Sequence, residues 1–158
     1  LRWGRAQLGA AAAALTAEGM PHRADLKLGI MIETPAAAIT ADLLAREADF
    51  FSVGSNDLTQ YAMAADRGNG ELERRYPASA PAVLRLIGLA AEAARAAGIP
   101  IGVCGELAGE LAAAPILAGL GIDELSMSPT QIPLVKERLA RFTPEQAQGL
   151  ARAALGSA

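Results

Sequence analysis

Hydrophobic positions along the chain follow two patterns, short apolar runs and longer segments with helical spacing. The short runs, which predict strands, lie at residues 28–32, 48–54, 100–103 and 125–127. The first run is apolar at nearly every position, as is typical of a parallel strand buried between layers. Helical spacing predicts helices at residues 5–19, 35–47, 58–65, 81–97, 111–118, 131–141 and 144–154.

The order of these elements predicts an α/β fold with about four parallel strands and covering helices. Each strand ends in a polar cluster and is followed by a helix, so that every crossover is helical. Four such units are half of an eight-unit (β/α)₈ barrel. Half a barrel would leave two strand edges and much of its interior uncovered, so we expect this chain to bind a copy of itself or to stay partly exposed.

Several residues mark where the predicted helices begin and which faces they bury. Thr34 and Pro35 suit the start of a helix, and Thr143 with Gln146 three residues later predicts a capping box. The helix at 35–47 has Ile39, Leu43 and Leu44 on one face. For the helix at 81–97 the spacing predicts a buried stripe of Val83, Ile87, Ala90 and Ala94. Residues 66–80, rich in Gly, Pro and charge, are predicted to be a long loop.

Composition narrows the class of protein further. At 158 residues the chain has the length of one domain, and with 52% hydrophobic but 4% aromatic residues its core must consist mainly of Ala, Leu, Ile and Val. The net charge of −3 and the scattered basic residues argue against nucleic-acid and polybasic membrane binding. A single cysteine, no long apolar run and no signal peptide indicate a cytoplasmic protein. Because the chain starts on Leu1 within a helical pattern, we expect it to be part of a longer protein.

Polar side chains follow three successive predicted strands at the point where each strand ends. These are Glu33, then Asn56 and Asp57, then Cys104 and Glu106. Parallel neighbours would bring these groups to one face, where two carboxylates with amide oxygens suit Mg²⁺. The alternative is that Asp57 only caps the following helix and Glu33 is a solvated acid at a strand end.

Two further residues are candidates for chemistry. Cys104 has Gly102 on one side and Gly105 on the other, and it is suited to act as a nucleophile or as a proton donor. The alternative is that Cys104 is only a small buried hydrophobic residue. Arg67 lies in the long loop, where an arginine can clamp a phosphate or carboxylate; the alternative is a surface ion pair with Asp66 or Glu71. The one histidine, His22, falls in a loop at the other end of a strand.

Five motifs resemble one enzyme family in order and spacing. They are Gly-Ile-Met-Ile-Glu-Thr-Pro-Ala-Ala-Ala at 29–38, Asp-Phe-Phe-Ser-Val-Gly-Ser-Asn-Asp-Leu-Thr-Gln-Tyr at 49–61, Ala-Asp-Arg-Gly-Asn at 65–69, Gly-Val-Cys-Gly-Glu-Leu-Ala-Gly at 102–109 and Asp-Glu-Leu-Ser-Met-Ser at 123–128. Together they closely resemble the C-terminal, phosphoenolpyruvate-binding domain of enzyme I of the bacterial phosphotransferase system. The similarity covers nearly the whole chain, from residue 29 to the final helix.

The resemblance implies a fold, a reaction and residue roles. It implies that residues 1–158 form the second half of a (β/α)₈ barrel, in an enzyme that transfers phosphoryl from phosphoenolpyruvate to a histidine on a separate domain and releases pyruvate to start sugar uptake. By matching position, Glu33 and Asp57 would bind Mg²⁺, Asn56 and Arg67 would contact the substrate phosphate, and Cys104 would protonate the enolate carbon.

The resemblance also implies partners and what the chain lacks. The phosphorylatable histidine and the domain that binds the histidine-containing phosphocarrier protein do not occur in this sequence, and neither do the substrate-binding arginines of the first barrel half. We therefore expect little or no turnover from the chain alone. The family's dimer surface would lie on this domain, which implies a homodimer.

Two alternatives stay open. Pyruvate phosphate dikinase and phosphoenolpyruvate synthase share the Ile-Glu-Thr-Pro, Asn-Asp-Leu-Thr-Gln and Cys-Gly-Glu elements and would use the same site. A different class is a non-catalytic module that binds phosphoenolpyruvate or pyruvate for sensing or dimerisation.

Overall fold

The computed structural model describes residues 1–66, 68 and 70–156, and these form a parallel sheet with helices packed against it. The strands are β1 (Ile30–Ile32), β2 (Phe51–Gly54), β3 (Ile101–Cys104) and β4 (Glu124–Leu125). They pair in sequence order, and all three neighbouring pairs are parallel. The predicted α/β fold with four parallel strands is therefore confirmed.

The helices follow the strands as the sequence predicts, with differences in detail. They are α1 (Arg2–Ala17), α2 (Pro35–Ile39), α3 (Ala41–Leu44), α4 (Ser55–Met63), α5 (Gly70–Arg75), α6 (Pro81–Ala97), α7 (Glu106–Gly109), α8 (Ala114–Leu120), α9 (Ile132–Leu139) and α10 (Pro144–Ala154). The predicted loop at 66–80 contains α5, so that prediction was wrong for those six residues. The predicted helix at 35–47 is divided at Thr40, whose backbone leaves the helical region at φ −104° and ψ 22°.

Helix starts match their sequence signals. The Thr34 hydroxyl accepts a hydrogen bond from Ala37 N, with Pro35 in the first turn of α2. Thr143 and Gln146 form both bonds of the predicted capping box at the start of α10. Among the described residues, no helix combines the length and the hydrophobicity needed to cross a lipid bilayer.

The sheet buries one face and leaves the other open. Ile32, Phe51 and Val53 point to the helices and are no more than 1% exposed. Met31, the neighbour of Ile32 in β1, is 44% exposed, because alternate residues of a strand point to opposite faces. The uncovered face agrees with the expectation that part of the chain's apolar surface stays exposed.

The helical layer is packed through small side chains. The predicted stripe on α6 is confirmed, and all four residues are buried: Val83, Ile87, Ala90 and Ala94. In α2 and α3 the buried residues are Ala38 and Ala41, whereas Ile39 and Leu43 are 64% and 53% exposed. Of the apolar face read from the sequence, only Leu44 is half-buried and packs against the core, so the prediction was wrong for Ile39 and Leu43. Alanine is buried instead because both short helices pack closely against α6.

We expect Gly119→Ala to destabilise the chain. A Cβ at Gly119 would lie 2.1 Å from the Ala147 carbonyl oxygen, so a methyl group there would push α8 and α10 apart. Overpacking of this kind costs about 1–3 kcal/mol in the free energy of unfolding, which urea denaturation would measure.

The matched control is Gly149→Ala in α10, where nothing lies within 4 Å of the new Cβ. This change should leave stability equal or raise it by roughly 0.5–1 kcal/mol, since alanine favours helix over glycine. Equal effects of the two substitutions would contradict the close packing of α8 on α10.

Candidate active site at the carboxyl edge of the sheet

The carboxyl ends of β1, β2 and β3 bring four predicted site residues to one edge, namely Glu33, Asn56, Asp57 and Cys104. Gly54 at the end of β2 is paired with Cys104 at the end of β3. The half-buried Glu33 follows β1, and its carboxylate oxygen Oε2 lies 3.2 Å from where a Cβ on Gly54 would be. Because Gly54 has no side chain, the Glu33 carboxylate can lie over the end of the neighbouring strand.

Asn56 and Asp57 occupy the first turn of α4, which begins directly after β2. The N-cap residue of this helix is Gly54, so Asp57 is not the capping residue that the alternative interpretation required. Asp57 is half-buried and lies near the positive end of the helix dipole, which favours a carboxylate. Glu33 and Asp57 therefore both lie near the start of α4.

Backbone geometry ties the end of β3 to the start of α4. Gly105 has φ +96°, and a Cβ there would lie 2.5 Å from the Ser55 hydroxyl. The Ser55 hydroxyl donates to the Cys104 carbonyl oxygen at 2.8 Å, and Glu106 N donates to Asn56 Oδ1 at 3.4 Å. These contacts orient the Asn56 amide toward the strand end.

The Cys104 thiol is half-buried among polar and sulfur-containing neighbours. Its Sγ lies 3.4 Å from the Val53 carbonyl oxygen, to which it donates. The Ser52 hydroxyl lies 3.8 Å from the same sulfur and the Met31 thioether 3.9 Å. The Val53 carbonyl oxygen is an acceptor, so the thiol is the donor in this contact.

A groove of about 650 Å³ opens at this edge, a size typical of small-molecule sites. It is lined by residues that include Asn56, Cys104, Glu106, Glu110 and Gln131. The structure therefore brings Asn56 and Cys104 into one cavity. Arg67, the other predicted phosphate ligand, lies outside the described residues.

The residues at this edge can be compared with the needs of Mg²⁺. Within the part of the chain that is described, no three Asp, Glu, His or Cys side chains lie close enough together to enclose a metal ion. Mg²⁺, however, commonly takes one or two protein carboxylates and completes its shell with water and substrate oxygens. Glu33 and Asp57 supply two carboxylates near the start of α4, and carboxylate oxygens are ligands of the type that Mg²⁺ takes.

Comparison with known proteins assigns the chain to a family. A family model described as "PEP-utilising enzyme, PEP-binding domain" matches residues 1–143. The chain belongs to this family of phosphoenolpyruvate-utilising enzymes. The match covers all four strands and the groove at their carboxyl edge.

Relatives of this phosphoenolpyruvate-binding domain have closely similar sequences. The chain is 46% identical to phosphoenolpyruvate-protein phosphotransferase of Lactococcus lactis over 90% of the chain and 25% of the relative. It is 48% identical to the Bacillus subtilis protein of that name, over 78% of the chain and 22% of the relative. It is 53% identical to the multiphosphoryl transfer protein of Xanthomonas campestris, over 83% of the chain and 16% of the relative. The chain thus spans a quarter or less of these relatives.

The site contains residues that sequence reasoning did not select. Met31 and Ser52 contact the Cys104 sulfur, and Glu110 lines the same groove as Cys104. The signal for Met31 and Ser52 was available, because both alternate with buried residues and so must point to the open face. For Glu110 the sequence contained no such signal, since this residue reaches the groove only through the turn after α7.

Burial and a neighbouring acid both act on the charge of Glu110 at the groove. Burial raises the pKa of Glu110 above the ordinary glutamate value, and the nearby charge of Glu106 raises it further. A carboxyl group whose pKa is raised by folding binds more protons in the folded state than in the unfolded state. Its effect on stability is therefore unfavourable at neutral pH and disappears as the pH falls below the unfolded value near 4.5.

We expect Glu106→Gln to lower the pKa of Glu110 without restoring it fully, because burial remains. A carboxyl-carbon NMR titration of Glu110 would measure the shift. We also expect Glu110→Gln to raise stability at neutral pH, with a gain that vanishes in acid. The control for both measurements is Glu18→Gln, which removes an exposed acid at the C-cap of α1. An unchanged titration of Glu110 in the Glu106→Gln variant would show that the two charges are not coupled.

Proposed function

We propose that this chain is the phosphoenolpyruvate-binding C-terminal half-barrel of a phosphoenolpyruvate-protein phosphotransferase. In this proposal residues 1–158 supply four of the eight units of a (β/α)₈ barrel, and the enzyme transfers phosphoryl from phosphoenolpyruvate to a histidine on another domain. The family match over residues 1–143 and the names of the relatives support it. Those names favour the phosphotransferase over the dikinase and synthase alternatives.

The observation that carries the proposal is the shared groove of Cys104 and Asn56 at the carboxyl edge of the sheet. In parallel α/β folds ligands bind at this edge. A thiol that donates a proton and an amide that donates a hydrogen bond are the groups needed at the two ends of phosphoenolpyruvate, its methylene carbon and its phosphate. The groove brings both groups to one ligand.

Asn56 is proposed to bind the phosphate. Its Oδ1 accepts from Glu106 N, so the amide nitrogen is the part that can donate to a phosphate oxygen. Arg67, whose place is not described, is proposed to clamp the same phosphate with its guanidinium group. Both donors would stabilise negative charge on the phosphoryl oxygens as the P–O bond loosens.

Cys104 is proposed to protonate the enolate. The bond between phosphorus and the enol oxygen breaks, the phosphoryl group passes to the histidine nitrogen, and the electron pair left on oxygen forms the enolate of pyruvate. Carbon 3 of the enolate then takes the thiol proton, which leaves a thiolate that solvent reprotonates. The contact between Sγ and the Val53 carbonyl supports this role, since it holds the thiol at the carboxyl edge of the sheet.

Glu33 and Asp57 are proposed to bind Mg²⁺ together with substrate oxygens. The ion would supply positive charge to the phosphate and to the enolate oxygen. The carboxylates would hold the ion at the strand ends, Glu33 from the residue after β1 and Asp57 from the first turn of α4. This arrangement needs no third protein carboxylate.

Other parts of the proposal concern the complete enzyme. The phosphocarrier protein would bind through an N-terminal domain that is not in this sequence, so the 158-residue chain should have little or no turnover. A cytoplasmic location and a homodimer stay predictions of the family resemblance. A non-catalytic sensor of phosphoenolpyruvate would share the site but would not transfer phosphate.

The test is a phosphoryl-transfer assay on a full-length phosphotransferase that contains this sequence. Cys104→Ala should lower kcat by about 10²–10⁴, the usual contribution of a general acid. Asp57→Ala should lower the rate and raise the Mg²⁺ concentration needed for half-maximal activity.

The matched control is Asp42→Ala, which removes an exposed acid of α3 and should transfer phosphate at the parental rate. If Cys104→Ala and Asp57→Ala also transfer at that rate, the site assignment is wrong. If the parent enzyme forms no phosphohistidine, the sensor alternative is correct.

A further inference from the structure

Ser52 and Cys104 point to the same face of the sheet from neighbouring strands. Ser52 of β2 pairs with Gly102 of β3, and Gly54 of β2 pairs with Cys104. The hydroxyl and the thiol therefore occupy diagonal positions, two residues apart along the strands. Because the residue opposite each of them is a glycine, no other side chain of β2 or β3 separates the oxygen from the sulfur, and these two atoms lie 3.8 Å apart.

Regular strands fix the positions of both side chains. β2 is hydrogen-bonded to β1 on one side and to β3 on the other, and β3 is hydrogen-bonded to β2 and β4. Ser52 and Cys104 are both half-buried. Side chains on such elements keep a functional geometry more precisely than side chains on loops. The contact between the hydroxyl and the thiol is thus built into the register of the sheet.

The contacts of the Cys104 sulfur differ in direction. The thiol donates to the Val53 carbonyl oxygen at 3.4 Å, and the Met31 thioether at 3.9 Å is an acceptor. The Ser52 hydroxyl, in contrast, donates to the sulfur. Within the described part of the chain, Ser52 is the only group that donates a hydrogen bond to this sulfur.

The ionisable side chains on the elements around the thiol are acids. They are Glu33 after β1, Asp57 in α4, Glu106 and Glu110 after β3, and Glu124 in β4. Negative charge on these groups disfavours further negative charge on the sulfur. The Ser52 hydroxyl can stabilise a thiolate there as a neutral donor.

We propose that Ser52 positions Cys104 for proton transfer and stabilises the negative charge that the transfer leaves on the sulfur. In this step the S–H bond breaks, the proton forms a C–H bond at carbon 3 of the enolate, and the S–H electron pair stays on the sulfur. The Ser52 hydroxyl then donates to a thiolate, which is a stronger acceptor than a thiol. The inference rests on the proposed function, because it needs Cys104 to be the proton donor.

The first measurement is the rate at which iodoacetamide alkylates Cys104 in a full-length phosphotransferase that contains this sequence. Mass spectrometry of the peptide that contains Cys104 separates this thiol from any other. The thiolate is the species that reacts, so Ser52→Val should react about tenfold more slowly than the parent at neutral pH, the usual effect of one hydrogen bond to a charged group. The two rates should converge at high pH, where both thiols are ionised.

The matched control is Ser52→Thr, which keeps the hydroxyl and has nearly the same shape as Ser52→Val. It should react at close to the parental rate. Ser52→Ala, which has neither the hydroxyl nor the added bulk, should react as slowly as Ser52→Val. Equal alkylation profiles in the Thr and Val variants would show that the hydroxyl does not stabilise the thiolate, and would overturn the proposal.

The second measurement is the pH profile of kcat for phosphoryl transfer in the same proteins. Ser52→Val should lower kcat about tenfold at neutral pH, because the thiolate that forms is less stable. Its alkaline limb, where activity is lost as the thiol ionises, should at the same time move to higher pH. Ser52→Thr should keep both parental values. General damage to the fold would lower kcat at every pH without moving that limb.

The role of Ser52 and the proposed function fail in different ways. Parental phosphoryl transfer by Cys104→Ala would overturn the proposed function, because the thiol would not be the proton donor. If Cys104→Ala loses transfer while Ser52→Val keeps the parental kcat and the parental alkylation profile, only the role of Ser52 is overturned. The alkylation rate needs no phosphoryl transfer, so it tests the contact between hydroxyl and sulfur in either case.

Discussion

The register of the four parallel strands is the constraint on which the rest of the structure depends. Parallel pairing aligns the strand ends, so that residues far apart in sequence reach one edge. Gly54 opposite Cys104 is the pairing that brings Asn56 and the thiol into one groove. A slip of one residue would turn the Cys104 side chain toward the helices and bury a polar group there, while Val103 would lose its place in the core.

One-sided burial follows from the same strands. The helix-facing residues of β2 and β3 are buried, and the side chains between them form the open face. Small residues make the covered side compact: alanines of α2, α3 and α6 replace the larger side chains that a helical core usually has, and Gly119 lets α8 approach the backbone of α10. The open face has no such cover within the described chain, which is why Met31 and Phe50 remain partly exposed.

The chemistry at the carboxyl edge of the sheet depends on the neighbour that each polar side chain contacts. The Cys104 thiol faces a carbonyl oxygen, Asn56 uses its oxygen to accept from the backbone, and Glu110 is pushed toward its neutral form by burial and by Glu106. The chain belongs to the phosphoenolpyruvate-utilising family and spans a quarter or less of the relatives it matches.

The sequence by itself determined the α/β order of elements, the helix starts, the buried stripe of α6 and the strand-end residues Glu33, Asn56 and Cys104. These follow from local rules, namely periodicity, capping and the position of polar residues after apolar runs. Tertiary structure alone decided that Ala38 rather than Ile39 is buried, that Ser52 and Met31 contact the thiol, and that one face of the sheet is open. Those outcomes depend on how close neighbouring elements approach and which strands lie side by side, and a single segment carries no information about either distance.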